Sequence, residues 1–307
     1  MAKASGSRIL ISGASGLIGT ELCAQLEADG HSVITLVRRE ARGPAESSWS
    51  PADGTIDMDV INSVDAVINL SGASTGRLPW TSGYKRVILS SRLDTTGTLA
   101  AAIARADTPP KTFLSASAVG IYGSRPGEFL DETSTQGSGF LASVTEQWEA
   151  AAQPAAAVAR VVTFRTGLVV GRGGAFTPLG LATKFGLGAR VGSGKQFWPW
   201  VSIVDEAAAI KHLLTSKLTG PVNIVGPTPA TSREVTKSLA TAMHRWHAFI
   251  IPESLITVGL GEAGRDLLLA DQKVVPSALE KDGFEFTHRT VEDAMNEIWG
   301  SDSSAAA

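Results

Sequence analysis

One cysteine, Cys23, stands in 307 residues, and an intrachain disulfide needs two. That absence fits a reducing, cytoplasmic setting, with Cys23 expected as a small core residue of the first helix. No apolar run reaches the roughly 18 residues that cross a bilayer, and Met1 to Ser7 lack the apolar centre of a secretory leader. Neither sign of charge dominates: 27 Lys and Arg against 30 Asp and Glu leave a formal net charge of −3. Such a balance gives no electrostatic footprint for nucleic acid or an anionic membrane. Five histidines are scattered, and His244 and His247 find no further ligand to complete a set, so no metal site is expected. Tyrosine is scarce as well, with only Tyr84 and Tyr122. What remains is ordinary globular composition, 43% hydrophobic and 19% charged, with length for one large or two modest domains. Residues 301–307 read as a disordered end.

Against this background one stretch stands out, Ser12-Gly13-Ala14-Ser15-Gly16-Leu17-Ile18-Gly19. It lies between the apolar run Ile9-Leu10-Ile11 and a helical pattern from Leu17 to Ala28 in which Ile18, Leu22 and Leu26 make one stripe. A strand that passes through glycines into a helix brings bare backbone amides close to a diphosphate and adds the partial positive charge of the helix start. Gly13, Ser15, Gly16, Leu17 and Ile18 are therefore expected to hold the pyrophosphate of a dinucleotide. The second strand, Val33 to Val37, ends in Arg38-Arg39. At that tip an acid would bind the 2′-hydroxyl of NAD, whereas guanidinium groups suit a 2′-phosphate. The pattern selects NADP(H), with Arg38 the stronger candidate and Arg39 the second.

Further on, a loop is expected around Trp49 and Pro51, followed by a strand from Asp65 to Leu70. It ends in Ser71-Gly72-Ala73, and Leu70 to Ala73 are expected to lie along the adenosine side of the cofactor. Arg77, Trp80 and Lys85 follow and border the expected pocket. A helix is expected from Arg92 to Arg105, a strand from Phe113 to Ser117, a helix from Phe140 to Ala152 and a strand from Val158 to Thr163. This alternation describes a doubly wound parallel sheet, an α/β Rossmann-type fold over residues 1–171. From 172 to 307 Gly and Pro punctuation increases and Lys195-Gln196-Phe197-Trp198-Pro199-Trp200 concentrates aromatic surface. A smaller mixed lobe is expected there, closing over the reactive end of the cofactor, with some chain crossing between the lobes. Lys195, Trp198 and Trp80 are the candidate substrate residues.

The segments together resemble the extended short-chain dehydrogenase/reductase superfamily. The resemblance is carried by the glycine stretch, Asn69-Leu70-Ser71-Gly72, Ser115-Ala116-Ser117, Ile121-Tyr122-Gly123 and Arg165-Thr166-Gly167-Leu168-Val169. Within it the chain looks like the atypical branch labelled epimerase family protein, SulA type, with a DUF1731-like C-terminus. The narrower likeness rests on Ser115 to Gly123, Gly139 to Ala142 with Trp148-Glu149, and Trp200 to Asp205. It implies a Rossmann fold, NADP(H) binding, a C-terminal substrate lobe, Ala116 against the cofactor and Gly167, Leu168 and Val169 near its carboxamide. It also implies relatives that dimerise through paired helices, which leaves a homodimer open here.

The superfamily's proton relay is a Tyr-x-x-x-Lys pair on the helix after the Ser strand. Here that helix offers Phe140 and Val144, and neither tyrosine is followed by a lysine at the fourth position. Three chemistries stay open: hydride transfer with another proton source, for which Ser117 and Tyr122 are the candidates; hydride transfer to a conjugated acceptor that needs no tyrosine; or NADP(H) binding without turnover. A sugar-nucleotide epimerase or dehydratase is the enzymatic alternative, weakened because that chemistry leans hardest on the missing pair.

Overall fold

Ile9, Leu10 and Ile11 are each fully buried, because helices cover both faces of a parallel strand. In the computed structural model, which describes residues 6–300, they lie in Arg8–Ser12 (β1). The readings of the two chain ends fall partly or wholly outside the described residues. After β1 the chain runs through Leu17–Ala28 (α1), Ser32–Val37 (β2), Glu46–Ser50 (β3), Thr55–Ile56 (β4), Met58–Asn62 (α2) and Ala66–Asn69 (β5). Next come Ser82–Arg105 (α3), Thr112–Ala118 (β6), Phe129–Leu130 (β7), Phe140–Ala152 (α4), Arg160–Thr166 (β8) and Leu168–Val170 (β9). The later part holds Phe176–Lys184 (α5), Gly188–Val191 (β10), Phe197–Trp198 (β11), Trp200–Ser202 (β12), Ile203–Thr215 (α6), Gly220–Ile224 (β13) and Ala230–Thr231 (β14). It closes with Ser232–Ala242 (α7), His247–Ile251 (β15), Glu253–Gly264 (α8), Lys273–Val274 (β16), Ser277–Lys281 (α9) and Val291–Trp299 (α10).

Eight strands form one sheet in the order β13-β8-β6-β5-β1-β2-β3-β4, parallel except for the β3–β4 hairpin. The chain leaves β1 toward β2 on one side and resumes at β5 on the other. The carboxyl ends of β1 and β5 are thus a topological switch point, where the following loops diverge and leave a crevice. One face of the sheet is packed by α1 and α6 through Leu22, Leu26, Ile210 and Leu213, the other by α3 through Leu99 and Ile103. Cys23 packs half-buried against the first of these cores. A separate core around Trp198, Trp200, Leu239, Met295 and Trp299 organises the later part of the chain. Late segments return to the sheet, α6 packing on its face and β13 pairing with β8 at its edge.

Two local expectations change. The loop around Trp49 is strand β3, with Ser47 and Trp49 turned inward and buried while Ser48 is exposed. The helix expected from Arg92 starts ten residues earlier, at Ser82, where the Thr81 hydroxyl accepts the Tyr84 amide at 3.1 Å. Both Lys85 and Arg92 therefore ride on α3, two turns apart and on one face.

Candidate functional site

The glycine stretch turns from β1 into α1 at the switch point. Gly13 has φ +76°, and a Cβ built there would stand 2.8 Å from the Leu70 carbonyl carbon at the end of β5. A Cβ on Gly19 would meet the Gly13 oxygen at 2.4 Å, so these two positions need glycine for the turn and the close helix approach. Gly16 is the N-cap of α1; no side chain caps this helix and no acid lies in its first turn. Its leading amides are left for an anion. Ser15 and Gly16 are exposed, Ile18 is half-buried, and Leu17 packs its methyls against Gly171 and Gly173. A cavity of about 700 Å³ opens here, lined by Ser15, Gly16, Leu17, Thr20, Arg172 and Ile298 among others. The Arg172 Nε donates to the Ile298 carbonyl at 2.7 Å, which ties α10 to the rim of this cavity.

At the end of β2 the two arginines part company. Arg38 is exposed, and among the described residues its side chain has no hydrogen-bond or ion-pair partner. Arg39 is turned onto β3, where it grips both Glu46 oxygens at 2.6 and 2.7 Å and donates to the Glu40 carbonyl. That pairing holds the Glu46 carboxyl down to about 2. Arg39 is therefore a structural link in this structure, not the free cation the sequence offered.

Asn69, fully buried at the end of β5, accepts from Ser12 Oγ at 2.6 Å and donates to Thr96 Oγ1 on α3 at 2.8 Å. It also accepts from the Ser71 amide and so shapes the Leu70–Ala73 loop. Arg92 of α3 fills the space behind that loop, with its Cζ 3.5 Å from a Cβ built on Gly72 and 4.9 Å from the Trp148 ring centroid. Its partners are the Ala73 and Ile88 carbonyls, with no carboxylate among them. Burial pulls its pKa down to about 10. A desolvated cation without an acid is costly unless an anion arrives. Sequence reasoning missed Arg92 because only the full length of α3 brings it beside Gly72.

Ser117 lies at the end of β6, 3% exposed, and Ala116 is half-buried beside it. The Ser117 hydroxyl donates to Glu149 Oε1 of α4 at 2.6 Å. Arg165 of β8 clamps the same carboxylate at 2.8 and 2.9 Å. With its proton on Glu149, Ser117 presents lone pairs outward, so the expected donation to a substrate carbonyl is replaced by an acceptor role. Tyr122 is corrected outright as a proton source. It has 0% exposure, and its hydroxyl receives Arg165 Nη1 at 2.9 Å and faces Asn223 Oδ1 at 2.8 Å and the Asp131 carbonyl at 2.9 Å. Burial raises its pKa further. Glu149, Arg165 and Asn223 come from separate segments; the motifs around Tyr122, Glu149 and Arg165 stand out in the sequence, but their pairing and the part of Asn223 do not.

Gly167 serves packing first: a Cβ there would stand 2.1 Å from the Pro199 carbonyl oxygen. Leu168 and Val169 are half-buried in β9, paired with β12. Trp198 is 4% exposed, packed in the core of the later part of the chain with its Nε1 on the Leu268 carbonyl at 3.1 Å, so the structure gives it a packing role where the sequence offered a substrate contact. Lys195 is exposed on a turn, its amide donating to Ser193 Oγ at 3.2 Å. Trp80 alone of the three substrate candidates meets the missing-tyrosine position, its ring 5.4 Å from that of Phe140 in an edge contact. Lys85 Nζ stands 4.2 Å over the same Phe140 ring and pairs with Glu262 at 2.6 Å. Asp266 lies within 3.9 Å of a Cβ built on Gly139 and accepts the Leu141 amide at the start of α4. Among the described residues no three His, Cys, Asp or Glu side chains gather as a metal set, and no helix is long and apolar enough to cross a membrane.

Comparison with known proteins extends over nearly the whole chain. The NAD dependent epimerase/dehydratase family matches residues 9–222, and the domain of unknown function DUF1731 matches residues 251–298. An epimerase family protein of Mycobacterium leprae is 39% identical over 96% of this chain and 97% of its own. The epimerase family protein SDR39U1 of Homo sapiens is 35% identical over 95% of this chain and 99% of its own. The solved human SDR39U1 (isoform 2), crystallised with NADPH, superposes with a TM-score of 0.87 at 32% identity, covering 96% of this chain and 99% of that one. MoeE5, solved with UDP-glucose and NAD, has a TM-score of 0.75 at 19% identity over 97% and 100% of the two chains, a likeness of fold.

Proposed function

The chain belongs to the NAD dependent epimerase/dehydratase family, and from that membership we propose that it is an NADP(H)-dependent oxidoreductase that reduces a small carbonyl or conjugated compound. Gly13, Gly16 and the first amides of α1 hold the pyrophosphate, with Ser15, Leu17 and Ile18 lining it. Arg38 takes the 2′-phosphate; Leu70 to Ala73 flank the adenosine side; Arg92 lies behind them as a cation for the bound anion. Ala116 and Gly167 to Val169 border the reactive end. Bound NADPH supplies a hydride from its nicotinamide. The human relative crystallised with NADPH supports the choice of cofactor.

The observation that carries the reading is Arg38, a guanidinium at the tip of β2 with no acid paired to it among the described residues, beside an Arg39 already held by Glu46. A phosphate at that spot gains charge-assisted bonds, whereas a bare ribose gains none. Titration should show NADPH binding at least tenfold tighter than NADH. Arg38→Ala should erase most of that preference and Arg39→Ala little of it. Preference for NADH that survives Arg38→Ala overturns the assignment. A second reading, a bound cofactor without turnover, draws on Phe140 and Val144, which can neither give a proton nor hold a charge. NADPH oxidation by uncharged quinones and enones separates the two. Pairing of two copies rests on the resemblance alone and enters no step of this chemistry.

A further inference from the structure

The edge of the site where the superfamily keeps its tyrosine is built in this chain from two aromatic rings and one lysine. Trp80 meets Phe140 edge to face at 5.4 Å, and Lys85 Nζ sits 4.2 Å over the Phe140 ring. The lysine comes from the first turn of α3, and its counter-ion comes from the other lobe: Glu262 at 2.6 Å, in the last turn of α8. Gly261, with φ +57° and ψ −131°, breaks that helix one residue earlier and turns Glu262 toward Lys85. Asp266 follows in a π-helical turn beside Gly139, and burial together with the Glu262 charge raises its carboxyl pKa. An ammonium has three donors, of which Glu262 takes one.

We propose that Trp80, Phe140 and Lys85 form the acceptor subsite for a planar, uncharged conjugated carbonyl compound, with a Lys85 N–H on its oxygen and Glu262 set against anionic analogues. The placement rests on the proposed function, because Phe140 marks the reactive end of the site only if the cofactor binds as argued above. Flat aromatic walls reward a flat ligand. The charge count disfavours an anion: Glu262 already balances Lys85, and Arg265 stands beside Asp266, so a ligand carboxylate would meet the Glu262 charge with no cation left over for it. A neutral carbonyl oxygen needs only a donor, and Lys85 has donors left. The sidedness comes from Glu262, so the same subsite without that charge should accept the anion.

The test uses a shape-matched pair of probes, 9,10-phenanthrenequinone and phenanthrene-9-carboxylate, titrated by equilibrium dialysis into the full chain loaded with NADP+. The quinone should bind wild type at least tenfold tighter than the carboxylate. Lys85→Met should cost the quinone tenfold or more while leaving NADP+ affinity and the melting temperature in place. Glu262→Gln should tighten the carboxylate severalfold, a shift that a merely structural salt bridge would not produce. Equal or tighter carboxylate binding in wild type, or quinone binding unmoved by Lys85→Met, overturns the subsite. Should Lys85→Met fail to fold, Lys85→Arg and Glu262→Gln carry the comparison, and a probe preference unmoved by both overturns it equally. NADPH oxidation by the quinone is measured separately: quinone binding without turnover sinks hydride transfer and leaves the subsite standing, while turnover without the expected probe preference does the reverse.

Discussion

At the scale of single residues, the groups that matter most are those whose partners are missing or unexpected. Glu206 on α6 is fully buried; Thr166 Oγ1 donates to its Oε1 at 2.7 Å, while its Oε2 is buried without a partner. Burial lifts its pKa from the ordinary 4.5 to about 8. Below the lower value both folded and unfolded chains hold the proton. Between the two values the unfolded chain releases it and the folded chain does not. The stability contributed by the neutral acid is therefore lost as pH rises through this window, and levels off above about 8. Urea unfolding near pH 5 and near pH 8 should show wild type losing stability on the order of a few kcal/mol relative to Glu206→Gln, whose profile is flatter. Parallel profiles for the two proteins would remove the carboxylic acid from the explanation. Such groups are hard to read from sequence. Glu206 looks like any polar residue in a helix until α6 is laid against the sheet, and Tyr122 looks like a free phenol until Asn223, about a hundred positions on, is folded against it. The exposed place of Arg38 is legible because it directly follows β2, whereas the capture of Arg39 depends on Glu46 of a strand that the sequence presents as a loop.

Elements show the same division between local and distant causes. The bounds of α4 were legible, since Gly139 opens it and Leu141, Val144 and Trp148 mark one face. The start of α3 is hidden in the sequence because Ser82, Gly83, Tyr84, Lys85 and Arg86 carry no apolar stripe; Thr81 and packing of the later turns hold that start. In the turn from β1 into α1 every cause is local, and it can be dissected. A Cβ at Gly13 meets backbone at 2.8 Å and the φ is positive, so Gly13→Ala should destabilise the fold by about 1–3 kcal/mol, the range for such strain. At Gly16 the φ is −77° and the nearest atom to a Cβ is the Gly13 oxygen at 3.3 Å, so the fold should bear Gly16→Ala. That methyl nevertheless stands where a diphosphate approaches the amides. Thermal melts and NADPH titration should show Gly13→Ala failing mainly in stability and Gly16→Ala mainly in affinity. Equal losses in both assays for both variants would mean that the two glycines do not divide the roles.

For the molecule as a whole, the last described segments border the cavity at the glycine loop, and one buried carboxylate fixes them. Asp205, at the start of α6, accepts the amides of Thr287 and His288 at 2.7 and 3.0 Å and the Ser202 hydroxyl at 2.8 Å. His288 continues the chain, with Nδ1 on Ser202 Oγ at 2.9 Å and Nε2 on Glu297 of α10 at 2.9 Å. Helix α10 in turn lines the cavity at the start of α1 and is held there by Arg172. The anchor at Asp205 and this cavity are therefore parts of one connected structure: Ile203, just before Asp205, and Glu297 of α10 both line it along with the glycine loop. Asp205→Asn keeps the shape but replaces one acceptor oxygen with a donor facing an amide, leaving a buried N–H unpaired at a cost of about 1–3 kcal/mol. It should lower the melting temperature and also weaken NADPH binding severalfold, without touching any residue of the glycine loop. Saturating NADPH, at about a hundred times its dissociation constant, should stabilise wild type by about 2.7 kcal/mol through binding to the folded chain alone. Differential scanning calorimetry with and without NADPH reads both effects. A variant that melts lower yet binds NADPH as tightly as wild type would show that α10 borders the cavity without holding the cofactor, and that closure of the site depends on the glycine loop by itself.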